Sequence, residues 1–217
     1  MAVGLDLGLL VPPIGAQDRG SPVVGALREA LHLAVERGVA SVARPDGFLA
    51  NPTIRLDVPE QLAKVESALR LAGQERVTDK FVDSLNRAAE LAAPAARAPL
   101  VVGASEVYLE ERMLGAGETV LTDALKRHAF GRTLAALTPA VAEATDRAGT
   151  ARRYKRFVKG AHFGGLVQQA PVDLDAYVVG RTMEGIFHAI GQEERRIRTD
   201  SAARPTARLR EVFAPHR

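Results

Sequence analysis

The sequence contains no cysteine and no tryptophan, and only 5% of its 217 residues are aromatic. The absence of cysteine excludes disulfide bonds, thiolate metal sites and cysteine nucleophiles. No run of eighteen apolar residues occurs, so the sequence predicts no membrane-spanning helix. A Gly-x-Ser-x-Gly elbow is also missing, and Gly164-Gly165 lacks the spacing and the preceding strand of a phosphate loop. These absences favour a protein that is not an enzyme.

The histidines are scattered along the chain rather than paired. No two of them stand at the i, i+4 spacing of a helical zinc site, and no His-Glu-x-x-His motif occurs. We therefore predict no catalytic residue, no metal ligand and no cofactor from these side chains. The five histidines are His32, His128, His162, His188 and His216.

The sequence is rich in helix-forming residues. Apolar residues make up 47% of the chain, and alanine and leucine dominate them. Apolar positions repeat at three and four from Val23 to Ala43 and again from Leu174 to about Arg198. The pattern predicts an all-α, single-domain bundle of about nine helices over residues 21–217. In this pattern Glu118–Phe130 and Arg132–Ala148 form two helices, and Pro139 kinks the second.

The first twenty residues differ from the rest. The stretch from Met1 to Gln17 is apolar, but Asp6 interrupts it and no Lys or Arg precedes it. The first twenty residues show no helical period and contain Pro12-Pro13. We expect residues 1–20 to be a loose N-terminal arm or the remnant of an export signal.

A polar loop separates the first two predicted helices. Pro45-Asp46-Gly47 has the composition of a tight turn in which Gly47 takes a positive φ, and Asn51-Pro52 makes a second break. Phe48 is apolar and has no helix to join. We therefore expect the Pro45–Pro52 loop to be ordered and to pack on the helix that carries Asn86.

The loop and that helix supply the candidate ligand-binding residues. Asn86 and Glu90 stand at i, i+4 and share a helix face with Arg87 nearby. In one interpretation they line a cleft roofed by the loop; in the other, which we favour, they bond the loop's backbone. The candidates are Asp46, Phe48, Asn51, Arg55, Asn86 and Glu90.

Three further patterns have a structural and a functional interpretation. The C-terminal part from Ala151 holds 13 basic and 7 acidic residues, and we expect salt-sensitive contact with anionic surfaces but no specific nucleic-acid binding. Glu193-Glu194 precedes two arginines, which favours a solvated helix end over acid–base chemistry. Small residues around Gly185 favour close core packing over a groove for a ligand or second subunit. The basic stretch comprises Arg152, Arg153, Lys155, Arg156 and Lys159; the small-residue stripe comprises Val178, Thr182, Gly185 and Ala189.

Several motifs, in order along the chain, carry a resemblance to a known family. The motifs are Leu27-Arg28-Glu29-Ala30-Leu31, Asp46-Gly47-Phe48-Leu49-Ala50-Asn51-Pro52, Ile54-Arg55-Leu56-Asp57-Val58-Pro59, Asn86-Arg87-Ala88-Ala89-Glu90, Val172-Asp173-Leu174-Asp175-Ala176-Tyr177-Val178 and Glu193-Glu194-Arg195-Arg196-Ile197-Arg198. With them the chain resembles the bacterial domain-of-unknown-function family 4197 from about Gly25 to Phe213. The resemblance implies an all-helical protein of a family whose members usually begin with an export signal, which we expect to be degraded or missing here, and it assigns no activity.

Two functions remain open from the sequence. The first is a non-enzymatic exported protein that binds a small apolar ligand or an envelope partner, located in the periplasm or otherwise exported by family resemblance. The second is an enzyme that uses carboxylate and arginine acid–base chemistry at the Asp46–Arg55 loop and the Asn86–Glu90 face. A cytoplasmic location is the alternative to export.

Overall fold

The computed structural model describes residues 21–160 and 172–214, and these contain helices and connecting loops but no strand. The predicted all-α class is confirmed. The described residues form eight α-helices, against about nine expected, together with four short 3-10 turns. The α-helices are α1 Pro22–Ala43, α2 Ala63–Leu71, α3 Glu75–Ala92, α4 Arg97–Glu106, α5 Val120–Ala148, α6 Thr150–Gly160, α7 Leu174–Thr199 and α8 Ala207–Val212; the turns are Glu60–Leu62, Ala93–Ala96, Glu111–Leu114 and Ser201–Ala203.

Four helices form the centre of the bundle. Helices α1, α3, α5 and α7 each contact the other three, and the shorter helices cover their outer faces. Helix α4 packs on α1 and α5, α6 on α3, α2 on α3 and α6, and α8 on α1. One cluster of buried apolar side chains extends from Val24 to Phe213, so the described helices share one core.

Helices α1 and α7 begin where their capping residues predict. Ser21 Oγ accepts a hydrogen bond from Val24 N at 3.4 Å, with Pro22 in the first turn. Asp173 Oδ1 accepts one from Ala176 N at 2.9 Å. The two helices then approach closely, because a Cβ on Gly38 of α1 would lie only 2.8 Å from the Ile190 nitrogen of α7.

Helix α5 is the main departure from the prediction. It runs unbroken through Gly131 and Pro139 for 29 residues, so the expected break at Gly131 was wrong and two predicted helices are one. Buried side chains recur every four residues along its length, and they pack both halves on the same core. That packing offsets the ~1 kcal/mol penalty of an exposed mid-helix glycine. The buried series is Leu125, Ala129, Thr133, Leu137, Val141 and Thr145.

The start of α5 is capped from α7, which no local pattern indicated. Glu194 is 1% exposed, and its carboxylate accepts hydrogen bonds from Leu121 N at 3.1 Å and Thr122 N at 2.8 Å. Arg198 donates to the same carboxylate from Nε and Nη2, at 3.0 and 2.9 Å. The expectation that Glu194 belongs to a solvated helix end was therefore wrong. It is a buried anion placed against the positive end of α5.

The predicted arm at 1–20 and the Gly164-Gly165 pair lie outside the described residues, and the domain boundary at residue 20 stays a prediction. Within the described ranges, no helix is both long enough and apolar enough to cross a membrane.

Candidate functional site

The loop that follows α1 opens with a turn whose two central residues exchange the expected roles. Asp46 has φ 60°, which makes it the one non-glycine residue with positive φ in the described part of the chain. Gly47 does not take a positive φ, so that prediction was wrong. Gly47 is needed for space instead, because a Cβ there would lie 2.6 Å from the Val42 carbonyl oxygen. The turn therefore presses against the end of α1 and holds Asp46 in a strained conformation.

Phe48 anchors the loop to α7. Its side chain is fully buried, and its ring lies so close to Gly185 that a Cβ on Gly185 would overlap it. The stripe of small residues on α7 therefore receives a side chain of this same chain, in agreement with the core-packing interpretation. As a fully buried side chain, Phe48 is out of reach of a ligand while the loop stays in place.

Asn86 of α3 pairs with the backbone of the loop. Its Oδ1 accepts from Leu56 N at 2.9 Å, and its Nδ2 donates to the Leu56 oxygen at 2.8 Å and to the Val82 oxygen at 2.9 Å. Both Asn86 and Leu56 are fully buried. The amide thus supplies both hydrogen bonds that a neighbouring strand would give to Leu56, which is the structural interpretation of this side chain.

Glu90 lies one turn further along α3 than Asn86. It both bonds the backbone of the loop and lines a cleft, so it fits both interpretations. It is 3% exposed and accepts from Phe48 N at 3.3 Å and from Arg87 Nη1 at 3.3 Å. One carboxylate oxygen therefore holds the loop, and the other meets the guanidinium that stands at the surface. Glu90 also forms part of the floor of a cleft.

Asn51 and Arg55 make contacts within the loop and do not line the cleft. Asn51 Oδ1 accepts from Thr53 N at 3.1 Å, and the Asn51 backbone oxygen accepts from Arg55 N at 2.9 Å. The Arg55 guanidinium lies 3.3 Å from Asp57. Neither residue lines the cleft below.

The cleft lies between the loop, α3 and the adjoining ends of α5 and α6, and has a volume of about 340 Å³. Asp46 and Asp83 stand exposed on its walls, Arg87 is exposed beside them, and Arg153 is half-buried. Arg153 is held by donating to the Lys80 oxygen at 2.8 Å. The full lining is Asp46, Leu49, Asp83, Ser84, Arg87, Glu90, Ala148 and Arg153.

The charges of the cleft suit a molecule that carries both signs. Two guanidinium groups and three carboxylates face the same space. In the described part of the chain no three Asp, Glu or His side chains are grouped tightly enough to hold a metal ion. The carboxylates are therefore spread along the walls, an arrangement that fits separated polar groups of one ligand.

Two further clefts also have charged linings. One, of about 260 Å³, lies between α5 and α7 and includes Lys126, Glu184 and Arg195. Another, of about 310 Å³, lies beside the start of α7 and includes Lys155 and Asp175. All three linings contain charged side chains, whereas an apolar ligand is favoured by a predominantly apolar lining.

The structure separates the six sequence candidates into three groups. Asp46 and Glu90 line the cleft; Phe48 and Asn86 are buried supports of the loop; Asn51 and Arg55 shape the loop itself. Asp83 was not predicted from the sequence, although it stands four residues before Arg87 on the same helix face. Arg153 was predicted only as part of a basic surface stretch, because its approach to α3 joins positions far apart in the chain.

Comparison with known proteins agrees with the motifs. No curated protein and no solved structure matches the chain. A family profile described as "Protein of unknown function (DUF4197)" matches residues 19–214. The match covers nearly the whole sequence, and the chain therefore belongs to the DUF4197 family.

Proposed function

We propose that this protein is a non-enzymatic binding protein of the bacterial cell envelope, and that the cleft beside the Asp46 turn holds a small charged molecule. The observation that carries the proposal is the convergence of Asp46, Glu90 and Arg153 on one space. These residues come from the loop, α3 and α6, so a folded chain is required to bring them together.

The chemistry of the lining points to a zwitterion of about amino-acid size. A ligand ammonium group would bind between Asp46 and Asp83 at the mouth, and a ligand carboxylate would bind Arg87 and Arg153. A cleft of about 340 Å³ is at the small end of ligand sites. The charged lining favours this polar ligand over the apolar one expected from the sequence.

The position of Glu90 favours binding over catalysis. It is the buried carboxylate of the cleft, and its two oxygens already meet Phe48 N and Arg87. A general base would need an oxygen directed at the substrate. The enzymatic alternative rests on the three carboxylates that share the cleft, and it would use Asp46 or Asp83 for proton transfer.

The envelope location rests on the resemblance to a family whose members usually begin with an export signal. Expression of the full chain in a bacterial host, followed by separation of periplasm and cytoplasm, tests it. Recovery of the protein in the cytoplasmic fraction alone would contradict export without bearing on the cleft.

The cleft is tested by thermal unfolding with a panel of amino acids, diamines and dicarboxylates, after native mass spectrometry for molecules that co-purify. We expect an amino acid to raise the unfolding midpoint of the native protein. Asp83→Asn should lose this shift, whereas Asp79→Asn, an exposed change on α3 outside the cleft, should keep it.

Two other outcomes would contradict the proposal of a non-enzymatic binding protein. A panel without any shift, together with no co-purifying molecule, would overturn the binding proposal. Turnover of a panel compound that Asp46→Asn or Asp83→Asn abolishes would establish the enzymatic alternative.

A further inference from the structure

Three side chains of α5 form a stripe along the edge of the core. Lys126, Phe130 and Leu134 stand four residues apart, and each directly follows a residue of the buried series on this helix. Residues at this interval lie about 6 Å apart along the helix axis and about 40° apart around it. The stripe therefore borders the buried series for about 12 Å. Phe130 is 44% exposed and Leu134 is 37% exposed, so both apolar side chains are partly open to solvent.

The stripe begins against α7, and the two helices are antiparallel. The Lys126 ammonium lies 5.7 Å from the centroid of the Phe187 ring on α7. The start of α5 is bonded by Glu194, near the end of α7. Near the end of α5, Thr145 donates to Asp175 in the first turn of α7 at 2.8 Å. The stripe, as it continues along α5 from Lys126, therefore runs toward the start of α7.

Helix α7 leaves open space beside the far end of the stripe. His188 lines the cleft of about 260 Å³ together with Lys126. Gly180 stands eight residues before His188, as Leu134 stands eight residues after Lys126. A Cβ added to Gly180 would meet no atom within 4 Å, so a groove continues from the cleft along the stripe. We call it the α5–α7 groove; its residues are Lys126, Phe130 and Leu134 of α5 and Gly180, Phe187 and His188 of α7.

The cleft end of the groove holds a cation without an anionic partner. Within the residues that the structure describes, no carboxylate lies within 4 Å of the Lys126 ammonium, which rests over the Phe187 ring instead. His188 contacts Gln192 of its own helix. An anion is therefore the group that complements this end of the groove. The other charged side chains of the lining already have partners; the pairs are Asp123 with Thr119, Glu184 with Arg181 and Arg195 with Glu118.

We propose that the α5–α7 groove binds a fatty carboxylate, with its head group at Lys126 and its acyl chain along Phe130 and Leu134. The carboxylate accepts a hydrogen bond from the Lys126 ammonium, and the His188 ring across the cleft is a second donor. The acyl chain covers the two partly exposed apolar side chains. The path from Lys126 to Leu134 is about 12 Å long, which matches an extended chain of about ten carbons.

The two ends of the groove together favour an amphiphile over a simpler ligand. An inorganic anion would leave Phe130 and Leu134 exposed, and a neutral apolar molecule would leave Lys126 without an anion. A cationic amphiphile would bring a like charge to Lys126. The groove shares no lining residue with the Asp46 cleft, so this proposal does not depend on the proposed function.

Isothermal titration calorimetry of the full chain with hexanoate, octanoate, decanoate and dodecanoate, each below its micelle concentration, tests the groove. Each added methylene that gains apolar cover should raise the affinity about 3-fold. The gain should stop once the chain has passed Leu134, at about ten carbons. Octylamine, with the chain of octanoate and the opposite charge, should bind at least about 10-fold more weakly. Absence of decanoate binding would overturn the proposal, and so would equal binding of octanoate and octylamine.

Substitutions separate the head group from the chain. Lys126→Gln should weaken the binding of every carboxylate in the series about 10-fold. Leu134→Ser should weaken decanoate and leave hexanoate unchanged, because the shorter chain ends before Leu134. Gly180→Leu fills the open space on the other side of the groove, so it should also weaken decanoate alone. Equal weakening of hexanoate and decanoate by Leu134→Ser would overturn the proposed path of the chain.

Matched controls lie outside the groove. Lys64→Gln removes an exposed cation of α2, and Leu71→Ser removes a leucine that is 91% exposed; neither should alter decanoate binding. Asp83→Asn, in the Asp46 cleft, should also leave it unchanged, which distinguishes failure of one site from failure of the other. Decanoate binding that persists unaltered in both Lys126→Gln and Leu134→Ser, or that begins only when micelles form, would overturn the proposal.

Discussion

The ring of Phe48 fills the space that a side chain at position 185 would need. A Cβ on Gly185 would overlap the ring edge and lie 2.9 Å from Phe48 Cζ. Because Asp46 stands two residues before Phe48, this contact between loop and α7 also fixes one wall of the cleft. Gly185 on α7 and Phe48 on the loop are therefore complementary in size, so a change of either side chain alters the packing of the other.

Phe48→Ala should therefore destabilise the protein by about 3–5 kcal/mol, since it leaves a cavity under the loop. Gly185→Ala should cost about 1–3 kcal/mol by overpacking. The double variant should lose less than the two single losses combined, because removal of the ring makes room for the new methyl group. Denaturant unfolding measures all three.

Gly180→Ala is the matched control for the glycine change. It lies on the same helix with no atom within 4 Å of its added Cβ, so the substitution should stabilise the helix by up to about 1 kcal/mol. Strict additivity in the double variant would contradict the proposed contact.

The features that the sequence predicted are those with local causes. The ends of α1 and α7 follow from Ser21, Pro22 and Asp173, which act within three residues of themselves. The ordered conformation of the Pro45–Pro52 loop follows from its prolines and from Phe48. Such signals lie within a few residues of the structure that they determine, so a single chain suffices to detect them.

The features that could not be predicted from the sequence depend on partners far away in the chain. Glu194 bonds residues more than seventy positions earlier, and nothing beside it indicates burial. Gly131 suggested a helix end because the low helix propensity of glycine can be read from the sequence. The packing of Leu125 and Leu137, which offsets that penalty, depends on the fold and cannot be read from the sequence. The cleft was only half predicted for the same reason, since Arg153 reaches it through tertiary folding.

Asn86→Asp should cost about 3 kcal/mol or more. The change removes both side-chain donors, so the Leu56 and Val82 oxygens lose the bonds from Nδ2, and it buries a charge beside them. Asn51→Asp is the control: Asn51 uses its Oδ1 as an acceptor from Thr53 N, which a carboxylate retains. We expect its cost to stay below about 1 kcal/mol. Equal losses in the two variants would contradict the pairing role of Asn86.

Glu194→Gln should destabilise the protein by about 3 kcal/mol or more, because Arg198 then remains buried without its anion and α5 loses its cap. The neighbouring change Glu193→Gln should cost less, since the Glu193 side chain, although only 13% exposed, pairs with arginines that keep contact with water, Arg196 at 58% and Arg37 at 35% exposed. Urea unfolding of both variants measures the difference. If Glu193→Gln proved the more harmful change, the capping role of Glu194 would be wrong.

His32 should make the protein less stable in mild acid. Burial lowers the pKa of His32 below 6.5, Arg28 lowers it further, and Glu36 acts in the opposite direction. Below pH 6.5 the unfolded chain therefore takes up the proton more readily than the folded one, and stability falls as the pH decreases through this range. His32→Gln should flatten that part of the stability profile. An identical acid slope in the variant would exclude His32 as its source.

The basic stretch on α6 should bind anionic surfaces weakly and without selectivity. Phe157 is buried against Phe81, with ring centroids 4.9 Å apart, and this turns Arg152, Arg156 and Lys159 toward solvent. Exposed cations without stacking aromatics attract polyanions through counterion release alone, so the logarithm of the affinity should fall linearly with that of the salt concentration.

Titration with anionic vesicles and with duplex DNA at two salt concentrations tests this expectation. Arg156→Gln combined with Lys159→Gln should reduce the salt slope on DNA by about two, because each cation that neutralises a phosphate adds about 0.9 to the slope. The exposed control Arg76→Gln should leave it unchanged. Sequence-selective DNA binding that survives physiological salt would require base-edge contacts, and would show that α6 does more than present charge.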